Sequence, residues 1–162
     1  MHLSIDADGS PRGYLAWYNH FTQSNLIRSI RPAIKNGRFG VQRMEMLAIY
    51  FAIADNIAAF QGRMKKKRTN KKVSVAKRIV VIIRSDSKST IEQLRGICEI
   101  RDEMLLRICE MIQRLLRIIS CSIVFKYIQR TNNMAGLLLE QNVRMKKEVN
   151  ETTANQLLQI SL

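Results

Sequence analysis

Several residue types are scarce in this 162-residue chain, and each scarcity excludes something. There are two prolines, seven glycines and one tryptophan, which excludes collagen-like and Pro/Gly-rich low-complexity chains. The three cysteines, Cys98, Cys109 and Cys121, are odd in number and form no C-x-x-C pair, so a disulfide framework is not expected. They sit in segments that read as helix or strand, and buried free thiols in a reducing compartment follow. His2 and His20 lie at no zinc-ligand spacing from those cysteines or from each other. No apolar run reaches the roughly 18 residues that span a bilayer, and the N-terminus lacks the charged and apolar regions of a secretory signal. A soluble, cytoplasmic (intracellular) protein with no membrane partner is the expectation.

Acidic residues are also scarce, 13 against 27 lysines and arginines, for a formal net charge of +14. An excess of that size favours polyanionic partners, nucleic acid before anything else. Nearly half the residues, 46%, are hydrophobic, enough for one domain with a real core.

The first forty residues alternate in hydrophobicity. "HLSIDAD" places Leu3 and Ile5 on one face and Ser4, Asp6 and Asp8 on the other, the period of a strand. The turn cluster "GSPRG", the aromatic "GYLAWYNHF" and "NLIRSIRPAI" complete an antiparallel three-stranded meander closed by "KNGRFG". Tyr14, Trp17 and Tyr18 are expected in the core or on the sheet's outer face, not in base stacking.

From Val41 to Gln61 the pattern becomes an apolar helix, buried around most of its circumference. "RMKKKRTNKK" is a like-charge run and reads as a solvated loop. "RIVVIIRSD" reads as a central strand, "SKSTIEQLRGI" as a helix capped by Ser87 or Ser89, and 102–118 as a further helix with Arg107, Arg114 and Arg117 interleaved. "CSIVFKYI" is a fifth strand and "NNMAGLLLEQNV" a last short helix. The order β-β-β-α-β-α-α-β-α describes an α/β layer fold built on one mixed sheet.

Carboxylates lie where such a fold can bring them together. Asp6 and Asp8 share one face of the opening strand, Glu45 stands alone in the apolar helix, and Asp86 ends the central strand, where open sheets form their sites. A few carboxylates with water and substrate phosphate are the usual ligands of Mg²⁺.

These motifs resemble those of the ribonuclease H superfamily, in particular its type 1 domain. "DADGS" resembles the first motif, "VQRMEMLAIYFAI" the second, "VVIIRSDSKSTIEQL" the third and "FKYIQRTNNMAGLLLE" the fourth, so that the resemblance covers roughly residues 2–142. It implies an RNase H-like fold: a five-stranded mixed sheet, three antiparallel strands then two parallel, flanked by helices. The domain is expected over 1–145, with 63–77 as a basic loop insertion and 146–162 as a polar tail.

The family hydrolyses the RNA strand of RNA/DNA hybrids with two Mg²⁺ ions, or Mn²⁺ in their place, about 4 Å apart, leaving a 5′-phosphate and a 3′-hydroxyl. Carried over, Glu45 and Asp86 match metal ligands. The first aspartate is either Asp8, which precedes Gly-Ser in the family's manner, or Asp6, which opens an Asp-Ala pattern that relatives also use, with Asp8 slightly preferred. The fourth aspartate's place falls at Gly136, or at Leu137 under an ungapped count, and neither binds metal. Glu140, about one turn further on, is a weaker candidate. The resemblance thus implies an endonuclease, impaired if the missing fourth carboxylate weakens one metal position, or, alternatively, a catalytically weak or inactive module that binds hybrid or double-stranded nucleic acid. As contacts to the hybrid it implies Arg12, Asn36, Arg38, Arg43, Lys65, Lys66, Lys67, Arg130, Asn132 and Asn133. The partner is RNA/DNA hybrid and the chain is expected to be a monomer.

Overall fold

The computed structural model describes residues 2–31, 34, 36–60, 79–119 and 121–146. Strands β1 (His2–Gly9), β2 (Tyr14–Asn19) and β3 (Ser24–Ser29) form the antiparallel meander. Helix α1 (Gly40–Ala54) follows, then β4 (Val80–Ser85), α2 (Lys88–Leu94), α3 (Glu103–Ile118), β5 (Ser122–Tyr127) and α4 (134–146). The sheet order is β3-β2-β1-β4-β5, with β1 parallel to β4 and β4 parallel to β5. This is the five-stranded mixed sheet that the motif order implies.

Strand alternation divides the molecule into two unequal halves. Leu3, Ile5 and Ala7 of β1, Leu15 and Trp17 of β2, and Val81 and Ile83 of β4 point to one face, where α1 covers them. Leu105, Ile108 and Ile112 of α3 then pack on the other side of α1. Sheet on one side and helix on the other account for the nearly apolar circumference of α1, in which Met44, Met46, Ile49 and Ile53 are fully buried. Truncating one of these, such as Ile49, to alanine costs about 2–5 kcal/mol in a core that cannot collapse onto the gap. The opposite face carries a small cluster of Ala16, Ala135 and Leu139, through which α4 docks against Tyr14 and Ile27.

Some expected boundaries move for local reasons. α1 ends at Ala54 rather than Gln61, because the buried Asn56 donates its side-chain amide to the Ala52 carbonyl at 2.9 Å and breaks the helical ladder. A separate helical turn, 57–60, follows. β3 stops at Ser29, short of the expected Ile34; one residue on, Ile30 N–H bonds to Gly13 O at 2.8 Å. Ser87, not Ser89, is the N-cap residue of α2.

The expectation of three buried thiols is corrected. Cys98 is exposed, in the loop after Gly96, and Cys109 and Cys121 are half-buried; all three are free. Trp17 is in the core as expected, its indole N–H donating to Asp55 at 2.8 Å. No helix among the described residues is long and apolar enough to cross a membrane. The basic segment 63–77 and residues 147–162 lie outside the described residues.

Candidate metal centre

The site grows from the point where β1 and β4 part. Their parallel ladder runs from His2↔Val80 to Asp6↔Arg84. Asp8 lies one pleat beyond the last pair, still bonded to β2 but with no β4 residue beside it. Into that opening Asp86 turns from the carboxyl end of β4. Glu45 arrives from the second turn of α1, which crosses the end of β1 so closely that a Cβ on Gly9 would lie 2.3 Å from the Met44 carbonyl carbon. Gly9 is therefore required by the approach of two backbones, and that approach delivers Glu45. One carboxylate oxygen from each of Asp8, Glu45 and Asp86 lies within 4.8 Å of the others.

Burial and like charge dominate the electrostatics. The Asp8 carboxyl is pushed up from 3.8 to about 6, first by burial and then by the charge of Asp86, with Arg130 partly offsetting both. Glu45 is pushed well above its ordinary value by burial, then by Asp8 and Asp86. Asp8 Oδ1 is buried and has no hydrogen-bond donor. A carboxylate oxygen left in that condition is costly, and a hard cation with oxygen ligands would satisfy it. The three carboxylates therefore fit a divalent ion such as Mg²⁺ by donor type, proximity and this unfilled oxygen.

The neighbours hold Asp86 in two ways. Asn133 is fully buried; its amide donates to Asp86 Oδ1 at 2.7 Å and to the Ala7 carbonyl at 3.2 Å. Its own side-chain oxygen accepts from the N–H groups of Ala135 and Gly136, so the same residue caps α4. Arg130 reaches Asp86 Oδ2 at 2.9 Å, Asp8 Oδ2 at 3.5 Å and Glu140 Oε1 at 3.2 Å. A cleft of about 500 Å³ opens beside the cluster, lined in part by Asp8, Arg12, Glu45, Arg130, Glu140 and Arg144.

This architecture is shared with solved structures. Ribonuclease H1 from the halophilic archaeon Halobacterium salinarum superposes with a TM-score of 0.58 at 17% identity, over 83% of this chain and 91% of that one. The N-terminal ribonuclease H domain of a Mycobacterium tuberculosis protein, solved as a fusion with maltose-binding protein, gives 0.56 at 17%, over 88% and 98%. LC11 ribonuclease H1, solved with an RNA/DNA hybrid, gives 0.57 at 18%, over 82% and 88%. The chain has the fold of a type 1 ribonuclease H. No protein-family model matches the sequence, and no curated protein sequence matches it.

Within the ribonuclease H fold, the expected site residues fall into distinct groups. Asp8, Glu45 and Asp86 converge, and Asp6, the alternative first aspartate, lies outside their group. Its carboxylate is fully buried against Arg84 Nε at 2.6 Å, His20 Nε2 at 2.8 Å and the Met134 N–H at 3.0 Å. Gly136 faces the cluster: a Cβ there would sit 3.0 Å from Asp8 Oδ2. Leu137 is exposed at 37%, so position 136 is the one that looks inward.

Among the expected nucleic-acid contacts, Arg43 is held by Asp102 at 2.9 and 2.5 Å and by the Asn36 carbonyl at 3.1 Å, and so braces α1 against the start of α3. Asn133 is enclosed, and Arg130 points into the acids. Arg12 lines the cleft, Arg38 lies over the Phe39 ring, and Asn36 and Asn132 are exposed. Lys65, Lys66 and Lys67 lie outside the described residues. Sequence reasoning missed that Asn133 orients Asp86 and that Arg84 neutralises Asp6. The signals were weak, an Asn before a helix and an Arg two residues ahead of the strand-ending Asp.

Proposed function

We propose that this chain is a metal-dependent nuclease of the ribonuclease H type, hydrolysing the RNA strand of RNA/DNA hybrids. The observation that carries the reading is the convergence of Asp8, Glu45 and Asp86 around a buried Asp8 oxygen that has no donor. The likeness to LC11 ribonuclease H1, which was solved with such a hybrid, supports the substrate class.

In this reading Asp8, Glu45 and Asp86 would hold Mg²⁺ or Mn²⁺. A divalent ion bound there supplies positive charge to the scissile phosphate and lowers the pKa of attacking water. Asn133 fixes the direction of Asp86, and Gly9 lets α1 bring Glu45 within reach. Arg12 and Arg144, on the cleft wall, offer positive charge to a phosphate backbone, which makes binding steeply dependent on salt. The hybrid is distinguished from DNA duplex through its 2′-hydroxyls.

The test is cleavage of a labelled hybrid in Mg²⁺ and in Mn²⁺, with Glu45→Gln as the control. Cleavage that Glu45→Gln abolishes is expected; no cleavage in either metal at any enzyme excess rejects the nuclease reading. A second reading, a module that binds hybrid without cutting it, is favoured by one observation: Gly136 puts no carboxylate beside Asp8. Metal-independent hybrid binding, with no cleavage even in Gly136→Asp, would decide for it.

A further inference from the structure

The acid cluster is not a set of carboxylates facing empty solvent. A guanidinium lies among them, bonded to Asp86, near Asp8, and bonded to Glu140 of α4. Glu140 stands four residues after Gly136, so the two lie on the same side of α4, one turn apart. Gly136 has no side chain to obstruct the path between α4 and Asp8, and both Glu140 and Asp8 line the same cleft. Arg130 is 56% exposed, so it can leave the cluster for solvent without giving up a packed environment. Asp8 Oδ1 receives nothing from it, which marks the arginine as an incomplete filling of the site.

We propose that Arg130 is a resident cation of the acid centre that a divalent ion must displace, and that its departure releases Glu140 to serve as the fourth carboxylate in place of Gly136. The proposal rests on the metal-centre reading above. Its physical basis is that a guanidinium in contact with the ligating carboxylates and a divalent ion compete for the same negative charge, and their mutual repulsion at contact range is large. Among the described residues, Glu140 is the acid outside the cluster that pairs with Arg130, and it lines the same cleft. A helix position one turn beyond the usual one compensates for a missing side chain by a longer one.

The experiment measures Mn²⁺ binding to the metal-free chain by electron paramagnetic resonance, at one fixed pH, in wild type, Arg130→Gln, Arg130→Gln with Glu140→Gln, and Asp86→Asn. Arg130→Gln is expected to tighten binding by about tenfold or more, since it removes a full charge at contact distance. Adding Glu140→Gln is expected to reverse most of that gain. Equal affinity in wild type and Arg130→Gln, abolished by Asp86→Asn, overturns the proposal while leaving the metal centre standing. A gain that Glu140→Gln does not reduce overturns it as well. Absence of binding in every chain overturns the metal-centre reading itself. Circular dichroism checks the folding of each variant. Arg130→Lys, which keeps the charge but cannot bridge three carboxylates at once, is expected to give a smaller gain, and no gain there counts against the proposal too.

Discussion

Asp6 and Asp8 stand two residues apart on one face of one strand, both buried, and they have opposite fates. Asp6 accepts from Arg84 and from the backbone N–H of Met134, and His20 Nε2 lies 2.8 Å from its Oδ2. Asp8 lies beside two acids, Glu45 and Asp86, with Arg130 3.5 Å from Oδ2, and its Oδ1 keeps no hydrogen-bond partner. A buried carboxylate whose bonds are made is part of the scaffold, and here it ties β1 to the turn after β2, to β4 and to the start of α4. A buried carboxylate left short of donors is held at a cost, and such a cost marks a place for a ligand.

The comparison can be broken most forcefully from the Asp6 side. Asp6→Ala leaves Arg84 without its counter-charge and the N-terminus of α4 without an acceptor. A loss of about 3 kcal/mol, read by urea or thermal unfolding, is expected.

From the other side, Asp8→Asn should stabilise the metal-free protein at pH 7 by on the order of 2 kcal/mol, since it removes a charge that the fold disfavours. The sign follows from linkage. The folded Asp8 carboxyl titrates at about 6, above its ordinary 3.8. Its favourable contribution is complete below about pH 4 and is lost as pH rises through about 6. Glu45, also shifted upward, adds a fall of the same sign. The gain from Asp8→Asn should therefore shrink toward acid pH, as unfolding measured across pH 4 to 7 would reveal.

Asn133→Ala sharpens the contrast between holding a ligand and being one. It removes both the α4 cap and the bond that orients Asp86, with an expected loss of about 1–2 kcal/mol in unfolding and weaker Mn²⁺ binding in the same protein. The smallest effect belongs to Asp102, a paired acid remote from the cluster. It caps α3 by accepting from Leu105 N–H at 2.9 Å, and Arg43 lowers its pKa. Asp102→Ala should cost about 1 kcal/mol at neutral pH. The Asp102 contribution is present above its ordinary 3.8 and is lost as pH falls through the lower folded value, opposite in sign to that of Asp8.

Much of the fold was legible because its signals are periodic. The alternation of β1, the apolar run of β4 and the helical spacing of α3 state their element types without reference to anything distant. Glu45 and Asp86 were legible as candidates because each interrupts such a pattern, a lone acid in an apolar helix and an acid ending an apolar strand. Boundaries set by one side chain acting on the backbone, such as Asn56 at the end of α1, were not. Arg43 was read as a contact to the hybrid because it lies beside a site motif, and Asn133 as a donor to sugar or phosphate. Their partners, Asp102 and Asp86, lie 59 and 47 residues away in sequence.

By itself, the sequence determined the order and kind of the elements, the two faces of β1 and the supply of acids, since all of these depend on local spacing. Which acid becomes the candidate ligand was decided by the tertiary structure. Period two places Asp6 and Asp8 on the same face and cannot tell them apart. The register of β4 against β1 can: the ladder ends at Asp6↔Arg84, so one aspartate receives an arginine, while the next projects into the gap where Asp86 and Glu45 meet it.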